Sequence, residues 1–305
     1  MRTDPPESGF LGAPTETDLD ALSADVAILG VPHGWPYPRP GATAGCAQAP
    51  TAVRARSQRM ARFRGHWDFD LDAPLLPLDG PPRLVDAGDV PGDPADGSGN
   101  AARSTDAVRA ILRAGAVPIC IGGDDSVPIP ILRALDAAGP VTVVQVDAHL
   151  DYRDEVDGVR EGYSSPMRRG AEMAHVGRIV HVGLRGIGSA RPTDVADSRA
   201  AGNVLVTAHE LHAHGVPWLI EQLADDARIF LAFDADGLDP SVAPAVSAPA
   251  PGGLGYQQAL ELIVGLGSRL VGAAFTELVP ELDEGGRSSL VIARLMCATA
   301  QVTTR

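Results

Sequence analysis

Short apolar, β-branched runs recur along the chain at Val26–Leu29, Arg83–Val85, Val117–Ile121, Val141–Val146, Ile179–Leu184, Asn203–Val206, Arg228–Phe233 and Leu270–Thr276. Several are continuous rather than alternating, the pattern of strands covered on both faces. Between them, Ala101–Gly115, Tyr256–Val264 and Arg287–Cys297 carry helical spacing, and Ser126 is placed to cap a helix that follows it. Strands alternating with helices predict an α/β fold around a mainly parallel sheet, open and doubly wound or closed as a barrel. The Pro- and Gly-rich stretches Pro32–Pro40, Pro91–Asn100 and Pro240–Gly253 predict long loops of the kind that build sites. No linker or internal repeat divides the chain. The polar, Pro-containing residues 1–20 predict a flexible or oligomer-contacting arm, which leaves 21–305 as a single domain.

Composition narrows the function classes. At 45% apolar and 21% charged over 305 residues, the chain can bury a large core, which excludes a disordered protein. Its 25 Lys plus Arg against 39 Asp plus Glu give a formal charge of −14, which argues against nucleic acid or an anionic membrane as partner and suits a cationic small substrate. Three separated cysteines without a CxxC predict a reducing, cytoplasmic setting. No apolar run approaches the roughly 20 residues of a membrane span, and MRTDPPESGF does not read as a signal peptide.

The chemistry lies where strands end. In VTVVQVDAHLD a buried strand runs into Asp147, His149 and Asp151, whose spacing of two places them on one side of an extended segment. Two carboxylates and an imidazole form a ligand set that divalent Mn, Fe, Zn or Ni accepts. Alone, the motif is equally compatible with a polar strand end whose Asp serves as a cap. A second exit, RIFLAFDADGLDP, carries Asp234, Asp236 and Asp239. Two such exits at one sheet end would crowd negative charge that only cations neutralise. A third, IGGDDS, follows the strand before a helix, where Gly122 and Gly123 allow a sharp turn beside Asp124 and Asp125.

In this order the segments resemble the ureohydrolase family of arginases and agmatinases, whose pattern is GGDHS, DAHxD and DxDxxDP; here they stand as GGDDS, DAHLD and DADGLDP. RPGA at Arg39–Ala42, PAPGGLGY at Pro249–Tyr256 and TELVP at Thr276–Pro280 are similar to further family segments. The resemblance implies an arginase-like three-layer αβα fold with an eight-stranded, mainly parallel sheet. It implies two divalent ions, Mn²⁺ with Ni²⁺ as the alternative, bridged by Asp147 and Asp234. His149 and Asp236 would hold one ion, Asp151 and Asp125 the other. A water shared by two cations would lose a proton near neutral pH and attack the guanidinium carbon, giving urea and an amine. Glu277 would pair with the guanidinium of a substrate such as agmatine or guanidinobutyrate. Homo-oligomers, trimers or hexamers, are also implied.

Two departures change the picture. Asp125 stands where the family has a metal-binding His, so the ligand carboxylates total −5 against +4 from two divalent ions, which predicts altered metal affinity or preference, or a single firmly held ion. Tyr163, in YSSPMRRG, stands where agmatinases carry a His, and a phenol with a pKa near ~10 is a poor proton shuttle. Asp154 and Glu155 are alternatives for that role. His33, after the first strand, is a candidate substrate contact, whereas Asp124 suits loop support and His209, His212 and His214 read as surface residues. The departures leave open a hydrolase of formimino or other amidine bonds, or a metal-poor binding or regulatory relative.

Overall fold

Alternate side chains of the central strands enter two different cores, and this places helices on both faces of one sheet. The computed structural model describes residues 1–38, 44–76 and 82–304; the RPGA segment at Arg39–Ala42 lies outside them. In chain order the strands are β1 (Val26–Val31), β2 (Trp67–Asp68), β3 (Ala73–Pro74), β4 (Leu84–Asp89), β5 (Val117–Gly122), β6 (Val141–Val146), β7 (Val176–Leu184), β8 (Val204–Thr207), β9 (Arg228–Asp234) and β10 (Leu270–Thr276). The helices are α1 (Ala49–Ala61), α2 (Gly97–Arg113), α3 (Pro128–Ala134), α4 (Pro166–Ala171), α5 (Pro192–Ala200), α6 (Ala208–Ile220), α7 (Tyr256–Leu266) and α8 (Arg287–Val302). Eight strands form one sheet in the order β4-β1-β5-β10-β9-β6-β7-β8, with β2 and β3 apart as a small antiparallel pair. Every pairing in the large sheet is parallel.

On β9, Ile229, Leu231 and Phe233 join one core with Val53 of α1, Leu211 of α6, Ile263 of α7 and Leu295 of α8. Phe230 and Ala232 join the other, with Val108 and Ile111 of α2, Ile131 of α3 and Met167 of α4. The result is the three-layer αβα arrangement expected from the sequence. Parallel strands buried on both faces read as unbroken apolar runs for this reason.

The first difference from expectation lies at β4, which extends through Asp86 and Asp89 instead of stopping at Val85. Arg54 of α1 makes this possible. Its Nε donates to Asp86 Oδ2 at 2.8 Å, Nη2 to Asp86 Oδ1 at 3.0 Å and Nη1 to Asp89 at 2.5 Å, and both Arg54 and Asp86 are fully buried. The expected arm, residues 1–20, instead lies against this β4 edge. Asp4 pairs with Asp89, Thr15 with Asp86, Phe10 N donates to Asp86 Oδ2 at 2.7 Å, and Phe10 and Leu11 are buried in the core. Covering an edge strand in this way satisfies backbone groups that would otherwise invite other chains.

Two helix starts also differ. α2 begins at Gly97 because Asp96 accepts from Gly99 N, four residues ahead of the apolar period. Ser126 does not cap α3: its hydroxyl donates to Asp124 and accepts from Trp35 N at 2.6 Å. Among the described residues no helix is long and apolar enough to cross a membrane.

Arg54→Ala leaves Asp86 buried without its cation, a loss that costs about 3–5 kcal/mol. Urea unfolding of the two proteins measures it; a difference below about 1 kcal/mol would contradict the assignment of this pair as the anchor of β4 and the N-terminal segment.

Candidate metal centre

The four adjacent central strands β5, β10, β9 and β6 deliver the acidic residues from their carboxyl ends, where ligands of open α/β sheets bind. β5 leads into Asp124 and Asp125, β10 into Glu277, and β6 into Asp147, His149 and Asp151, while β9 ends on Asp234 and leads into Asp236. The tips come close because glycines leave room. A Cβ on Gly237 would sit 2.8 Å from Asp147 N, and one on Gly123 would sit 2.4 Å from Pro32 O. The chain bends at Gly123, as expected, with a φ that is not positive, so glycine serves close approach there as well as the turn.

Ligand atoms of Asp147, His149 and Asp236 lie within 4.8 Å of one another, and so do those of Asp125, Asp147, Asp151 and Asp234. Asp147 belongs to both groups. Asp234, expected to be shared as well, comes together only with the second. All five aspartates are buried, and among the described residues none forms an ion pair with Lys or Arg. His149 Nδ1 stands 3.0 Å from Asp236 and 3.5 Å from Asp147.

The electrostatics follow from crowding in a dry place. Burial, with repulsion from Asp147, pushes Asp125 and Asp151 well above the usual carboxylate range; burial and then Asp236 do the same to Asp234. Burial, aided by Asp236, raises Asp147 to about 7. Hydrogen bonds to Asp147 and Asp236 raise His149 to about 10. The carboxylate shifts disfavour the charged form that a cation would stabilise, whereas the His149 shift favours a protonated ring that a bound cation would displace.

A supporting layer fixes these groups. Thr276 donates to Asp125 Oδ1 at 2.7 Å, Asp236 N to Asp234 at 2.7 Å and Ala148 N to Asp236 at 3.1 Å. Asp125 Oδ2 is buried with no hydrogen-bond partner among the described residues. Gln145 donates to Asp147 Oδ2 at 2.6 Å, and its carbonyl meets His181 Nδ1, across the β6–β7 register. Burial holds His181 down at about 3, so its ring is neutral. Arg185 Nη2 donates to the carbonyls of Asp236, Leu238 and Ala250 at 2.6–3.1 Å, tying the loop after β9 to the stretch before Gly252. Sequence reasoning missed Gln145, His181 and Arg185; the available signal for Gln145 and His181 was a polar residue interrupting an otherwise apolar strand, while Arg185 directly follows β7.

Above the two groups opens a cleft of about 390 Å³. Glu277 lies in it, buried, with φ +61°, and burial together with Asp124 raises its carboxyl to about 8. Its Oε1 accepts from Asp125 N at 2.8 Å, and Cys46 Sγ lies 3.7 Å from Oε2. Tyr163 lines the same cleft and packs edge-on against Tyr37 at 4.5 Å between centroids. His33 does not line it. The chain after β1 is tied toward α2 and α3 by Trp35 N to Ser126 and by Asn100 Nδ2 to Gly34 O, so His33 faces a separate small pocket beside Trp35 and Glu161. Asp124 accepts from Ser126 N, as loop support requires. Asp154 pairs with Arg160 and Arg169, and Glu155 is exposed, neither in the cleft. His209, His212 and His214 sit on α6, where His214 stacks on Trp218 and His212 meets Gly252 O.

Comparison with known proteins agrees with this geometry. The model of the arginase family matches residues 24–301. The chain is 33% identical to the mitochondrial agmatinase of Gallus gallus over 94% of its own length and 83% of the relative's. It is 33% identical to the guanidinopropionase of Pseudomonas aeruginosa, covering 97% and 92%. The solved proclavaminate amidinohydrolase of Streptomyces clavuligerus superposes with a TM-score of 0.81 at 28% identity, covering 97% and 96%. A Trypanosoma cruzi formiminoglutamase solved with Mn²⁺ gives 0.81 at 25% identity, covering 97% and 98%. Strand-tip motifs, sheet order and relatives therefore agree, and the chain belongs to the arginase family, on its agmatinase-like branch.

Proposed function

We propose that the cleft hydrolyses a guanidino compound, agmatine or guanidinobutyrate foremost, to urea and a primary amine. The observation that carries this reading is Glu277, a buried carboxylate in the same cleft as the two clustered ligand groups. The donor set fits divalent metal, because crowded buried carboxylates and an Asp125 oxygen without a donor both call for a cation. Asp147, His149 and Asp236 would hold one ion, and Asp125, Asp147, Asp151 and Asp234 a second, with Mn²⁺ the proposed metal and Ni²⁺ the alternative. Bound ions of this kind supply Lewis acidity and an acidified water near neutral pH.

The chain's own groups do the rest. Glu277, anchored through Oε1 by the Asp125 amide, would take the planar guanidinium by paired hydrogen bonds and fix the orientation of its carbon. Its left-handed backbone is held by Glu277 N donating to Gly123 O at 3.0 Å, so the carboxylate is positioned before substrate arrives. Tyr163, braced by Tyr37, would hydrogen-bond the substrate from the cleft wall. Gln145, oriented by His181, keeps its amide N–H on Asp147 and holds that carboxylate in place.

Protein reconstituted with Mn²⁺ or Ni²⁺ and offered a panel of guanidines should release urea from at least one. No urea from any would overturn the assignment, and ammonia with a formamide from formimino compounds would move it to another C–N bond. Glu277→Gln should lower kcat/KM about 100-fold with the fold intact by circular dichroism, in line with the roughly 2–5 kcal/mol cost of losing one partner of a buried charge pair. An unchanged kcat/KM would exclude Glu277 from guanidinium binding. In the metal-free protein, the raised Asp147, Glu277 and His149 mean that the folded state binds more protons than the unfolded one, so their contribution is complete at acid pH and lost as pH rises. The Tm of chelator-treated protein should fall between pH 5 and pH 8 and recover at pH 8 with saturating Mn²⁺; a metal-insensitive Tm would contradict the metal reading.

A further inference from the structure

The two ligand groups differ in kind. The group of Asp147, His149 and Asp236 contains an imidazole, whereas that of Asp125, Asp147, Asp151 and Asp234 offers only carboxylate oxygen. The all-oxygen group is complete in the fold: Asp125 is buried, Thr276 fixes its Oδ1, its Oδ2 has no hydrogen-bond partner among the described residues, and a carboxylate oxygen of Asp125 lies within 4.8 Å of those of Asp147, Asp151 and Asp234. Four carboxylates carry twice the charge of one divalent ion, and hard oxygen donors bind Mg²⁺, Ca²⁺ and Mn²⁺ with little of the gain that imidazole gives Ni²⁺ or Zn²⁺.

We propose that the centre is built for two unlike ions, a hard oxygen-seeking cation of the Ca²⁺, Mg²⁺ or Mn²⁺ class at the Asp125 group and a borderline cation of the Mn²⁺, Ni²⁺ or Zn²⁺ class at the His149 group. The inference rests on the metal-centre reading above and is independent of which guanidine is cleaved. Asp125 is its determinant, since it stands at the GGDDS position where the GGDHS pattern carries the imidazole that would make the two groups chemically alike.

Chelator-treated full-length protein is titrated with Ca²⁺, Ni²⁺ and Mn²⁺ by calorimetry, and bound metal is counted after desalting. Ca²⁺ should fill one site per chain, Ni²⁺ should then add one more, and Mn²⁺ alone should fill both. The ratio of Ni²⁺ to Mn²⁺ affinity should differ between the sites by about tenfold or more. Asp125→His should abolish the Ca²⁺ site and raise the Ni²⁺ to Mn²⁺ ratio there about tenfold. Asp125→Asn, close in size, should weaken Ca²⁺ while leaving Ni²⁺ at the His149 group unchanged. Ca²⁺ at neither or both sites, equal ratios at the two sites, or a Ca²⁺ site that survives Asp125→His would overturn the proposal while leaving a metal centre standing. Binding of no ion at all would overturn the metal-centre reading together with it.

Discussion

Mutual repulsion among buried carboxylates is the constraint around which this fold is arranged. Asp125, Asp147, Asp151, Asp234 and Asp236 leave three of four adjacent strands, and Glu277 leaves the fourth, between β5 and β9, all as buried side chains beneath one cleft. Two like charges 4 Å apart cost about 4 kcal/mol even at an effective permittivity near 20, and no Lys or Arg among the described residues pairs with the ligand set. In the metal-free chain burial and mutual repulsion push these groups toward the protonated form. Such an arrangement suits a fold with a use for concentrated negative charge, and the proposed divalent cations and cationic substrate would supply that use.

The scaffold around the cluster is correspondingly rigid. Asp151 and Glu277 both adopt left-handed backbone, at φ +45° and +61°, each a conformation costing about 1–3 kcal/mol for a non-glycine residue. Backbone bonds hold them there, Met167 N to Asp151 O at 3.1 Å and Glu277 N to Gly123 O at 3.0 Å. Arg185 gathers the carbonyls of three loop residues into one guanidinium and so keeps the β9 exit from splaying. Strain at two site residues and a dense supporting layer beneath them are what a preorganised centre requires.

Much of this was legible in the sequence because parallel strands buried on both faces announce themselves as apolar runs and the reacting groups sit directly after them. Val141–Val146 and Leu270–Thr276 have the predicted bounds, and the other six sheet strands differ at their ends. What stayed hidden was hidden by pairing across the fold. Asp86 and Asp89 made β4 look as though it ended early, since nothing local reveals that Arg54 of α1 neutralises them. Phe10 and Leu11 lie in a polar stretch that reads as an arm, yet they fill the core beside that edge. His33 follows the first strand as a site residue should, but it lines a neighbouring pocket, in a loop held by hydrogen bonds with Ser126 and Asn100, distant in sequence. Gln145 and His181 gain meaning only from the register that sets them side by side. Motif spacing locates groups carried on the same strand exit and says nothing about which other element will hold them.

The most direct test is an anomalous-difference map from a crystal of the protein grown with Mn²⁺. Two peaks per chain are expected, one bounded by Asp147, His149 and Asp236 and the other by Asp125, Asp147, Asp151 and Asp234. Absence of both peaks, with the carboxylates instead protonated and bonded to one another, would contradict it.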